Sequence, residues 1–451
     1  MSESYDLAVL GAGPGGYTAA ILAARKGLKV ALAEGSRFGG TCTNTGCIPT
    51  KTYLESARVF ALARDAARFG VSVENPRPDF ARMKSRKDRV VSRLAKGVEH
   101  LLKSNGVDIL PVEAAIERPG VIRAGNTLLS ARHTIIATGS KPKRPSIFDS
   151  PGIWTSDEVF DVSELPESLA IIGAGAIGME MAHLFSTLGV RVTLIEALDR
   201  VLPMEDSHVS SYMSRLMRKT SIHTSARVTR FEGSGPYRLT VETQAGETLV
   251  EAHRVLLCIG RTPRIPDGCE ASGIELGRAG GIAVDEFMRT SVPGIYAVGD
   301  VTGEHMYAYV ASREAAVAVN HITGGSRRIS YRNIPSAIFT HPEVASVGDE
   351  TGADGSSAEL TGTFPVSALG RARTMEANDG YAHITASADG VIRRVSIVSP
   401  EATDLISWAC LAVELGLTVE QFLDPYCPHP TLAEILKEAA EDILGAGVHK
   451  V

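Results

Sequence analysis

The chain has 451 residues, 44% hydrophobic and 22% charged, with a formal net charge of −6. That length exceeds one ordinary core and predicts roughly two to four domains. The acidic balance argues against nucleic acid and anionic membrane as partners, and glycine or charge interrupts every long apolar run before it could span a bilayer. Six cysteines with one close pair are no disulfide framework. The start, Met1–Asp6, carries no basic, apolar or cleavage signal, so a cytoplasmic protein is expected.

Tyr5–Leu10 is an apolar run leading into Gly11-Ala12-Gly13-Pro14-Gly15-Gly16; Tyr17–Lys26 reads as a helix, and Leu28–Ala33 as a strand closed by Glu34. Strand, glycine turn, helix and acidic-ended strand form the first unit of a doubly wound sheet. The glycines allow backbone N–H groups to approach a pyrophosphate at a helix N-terminus, and the acid accepts ribose hydroxyls.

Cys42 and Cys47 follow in Gly39-Gly40-Thr41-Cys42-Thr43-Asn44-Thr45-Gly46-Cys47-Ile48-Pro49-Thr50-Lys51. A thiol pair beside a flavin or nicotinamide can pass two electrons between a dithiol and a hydride carrier. Residues five apart on a regular helix have Cα atoms roughly 8.6 Å apart, beyond the roughly 4.4–6.8 Å of a disulfide. A bridge here therefore demands a distorted helix, with Gly46 supplying latitude. The alternatives are two buried free thiols or half of a metal site; no second Cys or His pair with ligand spacing exists, so no metal is expected.

Arg132–Ser140 reads as a strand closing the first domain and Lys141–Pro151 as a linker. Ser168–Ile172 then leads into Gly173-Ala174-Gly175-Ala176-Ile177-Gly178, a helix through Leu188, and Arg191–Ile195 ending at Glu196. In both copies the acid lies 23 residues after the first glycine, which implies two nucleotide sites. A carboxylate at Glu196 would repel a 2′-phosphate, so NAD is favoured over NADP.

Val255–Pro263 reads as the strand closing the second domain, and Gly294–Asp300 as a return to the first. From about Tyr331, alternating strands and then helices Leu405–Leu415 and Thr431–Ile443 predict an α+β domain, with loops at 324–326 and 352–357. Thiol exchange needs a base near neutrality. His429, followed by Glu434, is the candidate; the alternative is a structural histidine beside a Thr431 N-cap. The alternative for Lys51 and Glu180 is a pair of separate surface charges, which the place of Lys51 on the cysteine helix disfavours.

Taken in order, GGTCTNTGCIPTK at 39–51, ATGS at 137–140, GAGAIG at 173–178, IGRTP at 259–263, YAVGD at 296–300, IPSAIFTHPEVASVG at 334–348 and HPTLAE at 429–434 resemble the FAD-dependent pyridine nucleotide–disulfide oxidoreductases over nearly the whole chain. The resemblance implies an α/β fold: two Rossmann-like domains for FAD and NAD and a C-terminal α+β dimerisation domain. It divides the chain into FAD-binding 1–145, NAD-binding 146–265, a return to the central domain at 266–328, and an interface domain at 329–451. It implies FAD contacts at Gly11, Gly13, Pro14, Gly16, Glu34, Thr41, Lys51, Ala115, Thr138, Gly139, Asp300 and Ala308, and NAD contacts at Gly173, Gly175, Ile177, Gly178, Glu196, Gly260 and Arg261. Cys42 resembles the interchange thiol, Cys47 the thiol against the flavin, and His429 with Glu434 the acid/base of the other subunit of a homodimer. Lys51 and Glu180 would pair near the flavin.

The dihydrolipoamide-oxidising branch of the family is nearest, implying NAD⁺ reduction by a dithiol or a lipoyl group on a separate protein of a 2-oxo acid dehydrogenase or related complex. The competing reading is an NAD(P)H-dependent reductase of another small disulfide such as glutathione disulfide. A binding subunit without turnover is disfavoured by the intact cysteines and His429. Pro425-Tyr426-Cys427-Pro428 departs from the branch's histidine-containing lead.

Overall fold

The protein is described from a computed structural model covering residues 4–150, 152–349, 351 and 360–449; the expected loop at 352–357 and the linker end at Pro151 lie outside the described residues. The chain forms two compact units. The first comprises Met1–Ser56, Asp79–Leu165 and Val255–Ser330; the second Ala57–Pro78, Pro166–Arg254 and Tyr331–Val451.

In the first unit, parallel strands Asp108–Leu110, Val30–Ala33, Ser4–Leu10 and Thr127–Ile136 lie side by side, with Ile295–Ala297 also on Thr127–Ile136. Antiparallel Val121–Ala124 and Ala114–Arg118 extend the sheet. Successive side chains point to opposite faces. Leu7 and Val9 therefore join one core with Ala19, Ala20 and Ala315 of the helices Pro14–Arg25 and Ala308–Ile322, while Ala8 and Leu10 join another with Ile122 and Ile136.

The expected strand Arg132–Ser140 stops at Ile136; Gly139 turns the chain at φ +73°, and Ser140–Pro142 starts a separate strand. The expected strand Val255–Pro263 divides likewise into Arg254–Leu257 and Arg261–Pro263 around Gly260 at φ +100°. The second fragments of these two runs pair antiparallel with each other, opposite Ser140 at Pro263.

In the second unit, parallel Ser168–Ile172, Arg191–Ile195 and Ser221–His223 repeat the nucleotide-binding pattern beside the helix Ala176–Thr187. An antiparallel sheet, Ser336–Ile338, Glu343–Gly348, Ile392–Ser399, Tyr381–Ala386 and Leu360–Pro365 in spatial order, carries the helices Ala402–Leu415 and Glu434–Ile443 on a core that includes Ile384, Ile397, Ile406 and Leu436. The last helix starts at Glu434 rather than Thr431, and the Glu434 carboxylate reaches back to accept the Thr431 N–H at 2.9 Å. No helix of the described residues is long and apolar enough to cross a membrane.

Gly362 lets that last helix approach the sheet. A Cβ there would lie 2.1 Å from the Ala439 carbonyl oxygen and 2.7 Å from an Ile443 side-chain carbon. Overpacking of this kind costs about 1–3 kcal/mol. Gly362→Ala is expected to lower stability by that amount in denaturant titration, and a wild-type midpoint would show that the helix is free to move.

His183 and His341 stack in the same unit, ring centroids 6.3 Å apart. Burial first, then the neighbouring His341, depresses His183 to about 4, and burial also lowers His341. A depressed histidine pKa gives stability that is present above about pH 6.5, its unfolded value, and lost as pH falls towards 4. Unfolding free energy is expected to fall by up to about 3 kcal/mol over that window. Denaturant titrations should show a weaker fall in His183→Leu; an equal fall would assign the acid sensitivity elsewhere.

Candidate active site

Both glycine turns are built to receive something the protein does not supply. The helices Pro14–Arg25 and Ala176–Thr187 begin at Gly13 and Gly175 with no side-chain cap and no acid in the first turn. Their leading N–H groups and positive dipole ends are therefore left for an anion. A Cβ on Gly175 would meet nothing within 4 Å, so the protein's own packing does not require glycine there. At Gly16 it does: a Cβ would sit 1.9 Å from the Gly11 carbonyl oxygen. Pro14 occupies the first helical position, and Ile177, Gly178 and Gly173 frame the second turn.

The two acids repeat one another bond for bond. Glu34 accepts from Ala12 N–H and Ser36 N–H, both at 2.8 Å. Glu196 accepts from Ala174 N–H at 2.6 Å and Leu198 N–H at 2.8 Å. Each carboxylate closes its own turn and, having about four lone-pair sites, keeps capacity for ribose hydroxyls.

The cysteine segment sits directly on the first turn. Gly39 N–H donates to the Ala12 carbonyl at 2.9 Å, and a Cβ on Gly40 would lie 2.6 Å from the Gly13 Cα. A short helix, Gly40–Asn44, carries Cys42; a second, Cys47–Arg64, starts at Cys47. The break between them is the distortion the cysteine spacing demands. It comes from Thr45, at φ −138° and ψ 14°, and not from a left-handed Gly46. Gly46 instead permits close approach, since its Cβ would lie 3.1 Å from the Thr41 carbonyl. Asn44, absent from the sequence-derived site, pins the short helix through Nδ2 bonds to the Phe38 and Gly40 carbonyls at 3.0 and 2.9 Å.

Cys42 and Cys47 are reduced thiols joined by a hydrogen bond. That bond first, then burial and the Cys47 charge, push the Cys42 thiol far above its ordinary range, while the Lys51 charge pulls it down. Tyr17, on the first helix, is raised by burial and by Cys42.

Asp300 Oδ2 accepts the Ser140 hydroxyl at 2.6 Å, and Ala308 opens the helix Ala308–Ile322. Thr138 Oγ1 donates to the Arg264 carbonyl at 2.5 Å; Ala115 is buried in Ala114–Arg118. Arg261 is brought to Ser140, in the same unit as the first glycine turn, beside the positive-φ Gly260.

In the second unit, Glu180 is 4% exposed and its Oε1 accepts the Phe339 N–H at 2.9 Å. His429 Nδ1 lies 2.8 Å from Glu434 Oε1. Burial opposes ionisation of Glu434, but bonds from His429 and the Thr431 N–H outweigh it and lower its pKa. An ionised Glu434 only accepts, so Nδ1 is the donor and Nε2 is left to take a proton. Thr431 Oγ1 donates to the Pro428 carbonyl at 2.8 Å and caps no helix. Cys427 is raised by burial and then by Glu434, which keeps it a thiol.

Residues 5–315 match the family described as pyridine nucleotide-disulphide oxidoreductase, and residues 334–440 match its dimerisation domain. The chain is 38% identical to a dihydrolipoyl dehydrogenase of Bacillus subtilis over 100% of both chains, and 38% identical to that of Chlamydia pneumoniae over 98% of this chain and 97% of the other. Among solved structures, LpdA from Mycobacterium tuberculosis is similar with a TM-score of 0.88 at 28% identity, covering 97% of this chain and 99% of that one. A Cu(II) complex of the HOCl-induced flavoprotein disulfide reductase RclA from Escherichia coli is similar with a TM-score of 0.87 at 27% identity, covering 98% and 99%. Uncapped paired turns, a thiol pair seated on the first and a histidine–carboxylate dyad in the last domain agree with these matches: the chain belongs to the pyridine nucleotide-disulphide oxidoreductase family.

Proposed function

We propose that the protein is a homodimeric flavoenzyme that oxidises dihydrolipoamide, or a similar dithiol, and reduces NAD⁺ through a Cys42–Cys47 redox disulfide. The observation that carries this reading is the hydrogen-bonded thiol pair at the helix break, seated on the first glycine turn. The relatives named dihydrolipoyl dehydrogenase supply the substrate class. The first turn and Glu34 would hold FAD, and the second turn and Glu196 would hold NAD⁺; when bound, they would supply the two-electron acceptor for the thiol pair and the hydride acceptor beyond it.

The remaining steps belong to the chain's own residues. His429 of the second subunit takes a proton from the substrate dithiol at Nε2, with Glu434 holding Nδ1–H. The substrate thiolate attacks Cys42 Sγ, the Cys42–Cys47 bond breaks, and Cys47 leaves as thiolate. The second substrate sulfur displaces Cys42, which takes up that thiol's proton. The oxidised substrate departs with two electrons left on the pair. A Cys42 pKa raised by Cys47 suits it to hold that proton. Lys51 and Glu180 pair at the flavin in this reading. The segments 1–145, 146–265, 266–328 and 329–451 serve as FAD, NAD, central and interface domains. The dithiol is carried by a lipoyl group on another protein, and a cytoplasmic setting suits a chain whose six cysteines include one close pair. The likeness to RclA, named a flavoprotein disulfide reductase, favours one second reading: the same residues run in reverse on a small disulfide.

Dihydrolipoamide with NAD⁺ or NADP⁺, and lipoamide or glutathione disulfide with NADH or NADPH, separate the two readings. Fast NAD⁺ reduction by dihydrolipoamide is expected; turnover only with another disulfide would reassign the substrate. General acid–base groups contribute about 10²–10⁴-fold. His429→Gln should lose that much dihydrolipoamide turnover and keep NADH oxidation by an artificial acceptor. Full dithiol turnover in this variant would assign the proton to another group.

A further inference from the structure

Ser140, Arg261 and Asp300 come from three distant segments of the first unit and meet in one chain of hydrogen bonds. Ser140 Oγ donates to Asp300 Oδ2 at 2.6 Å. Arg261 Nε donates to Ser140 Oγ at 2.7 Å, and its Nη2 to the Ser140 carbonyl at 2.9 Å. Its Nη1 reaches Ser156 Oγ at 3.3 Å and Asp157 Oδ1 at 3.6 Å.

The direction of this chain is forced. A guanidinium has donors and no acceptor, so Ser140 must accept from it. The single hydroxyl proton of Ser140 is thereby free for Asp300. Asp300 Oδ2 is committed, while Oδ1 meets no protein donor among the described residues. The backbone beside it is held too, since Gly299 N–H donates to Glu314, which is 0% exposed, at 2.5 Å. The Arg261 side chain is 12% exposed, its charge faces Asp157, and all three of its nitrogens have partners. Little of it is left for a dinucleotide.

We propose that Arg261 is a positioning residue for flavin binding and not a nicotinamide ligand: acting through Ser140, it aims the open oxygen of Asp300 at a hydroxyl of the bound flavin. This rests on the reading of Asp300 as a flavin contact. Because Ser140 and Arg261 lie on the paired strands Ser140–Pro142 and Arg261–Pro263, the relay also fixes how those two strands hold the aspartate.

The experiment is FAD titration of the stripped full-length protein by flavin fluorescence, with NADH affinity measured on the FAD-saturated form. Hydrogen bonds to charged groups correspond to about a tenfold to hundredfold change in affinity. Arg261→Met and Ser140→Ala should each weaken FAD binding by that factor and leave the NADH dissociation constant within about twofold. The Ser140→Ala, Asp300→Ala double variant should bind FAD no worse than Asp300→Ala alone, a non-additivity that a merely structural role would not produce. Should Arg261→Met fail to fold, Ser140→Ala and the double variant carry the test by themselves. Unchanged FAD binding in Ser140→Ala, or an Arg261→Met variant that loses NADH about tenfold and keeps FAD, overturns the proposal. Unchanged FAD binding in Asp300→Ala overturns instead the reading of Asp300 on which it rests.

Discussion

The site depends on one backbone contact, the seating of Gly39 and Gly40 on Ala12 and Gly13. The Gly39 N–H donates to the Ala12 carbonyl at 2.9 Å, and a Cβ on Gly40 would lie 2.6 Å from the Gly13 Cα, so the segment sits too close for a side chain at Gly40. These two contacts decide where the short cysteine helix begins, and Thr45 then decides where it stops. The thiol pair is therefore positioned by main chain, with the Asn44 side chain holding the short helix in place. The same turn that leaves the helix Pro14–Arg25 without a side-chain cap thus also places the sulfurs.

A second theme is division of labour between electrostatics and packing. Buried acids recur at the working parts: Glu180, Glu196 and Glu314 are each below 10% exposed, and each accepts a backbone N–H. Such bonds offset the desolvation cost of a carboxylate. They also tie helices and turns that hydrophobic contact alone would leave free to slide. Glu434 follows the same rule in a more exposed place, where bonds to His429 and Thr431 outweigh burial.

Much of this was legible in the residues, for physical reasons that differ by element. Ser168–Ile172 and Arg191–Ile195 were read to the residue because each carries a buried apolar stretch that stops sharply, at Gly173 and at Glu196. The cysteine spacing required a broken helix whatever its details. The runs at 132–140 and 255–263 were read as single strands because nothing local shows that Gly139 and Gly260 take positive φ; the pairing of their second halves with each other is a long-range fact. The start of the last helix was misjudged because Thr431 is a plausible cap, yet its hydroxyl donates to the Pro428 carbonyl and caps nothing. Ser140 and Asn44 lie inside the quoted motifs without being singled out, and Glu314 lies in none: Ser140 is defined by partners far along the chain, Asn44 by a local turn and Glu314 by the Gly299 N–H.

Glu196 shows what such an arrangement means for the malleability of cofactor choice. The carboxylate that would disfavour a 2′-phosphate is also the acceptor that closes its own glycine turn through Ala174 and Leu198. Exchanging it for a cation would strip two backbone donors of their partner before any new ligand arrived. On the proposed reading of Glu196, preference for one nicotinamide over the other is tied to the integrity of the turn. A lineage or a designer seeking to change it would have an easier route through added charge on neighbouring loop positions than through Glu196 itself.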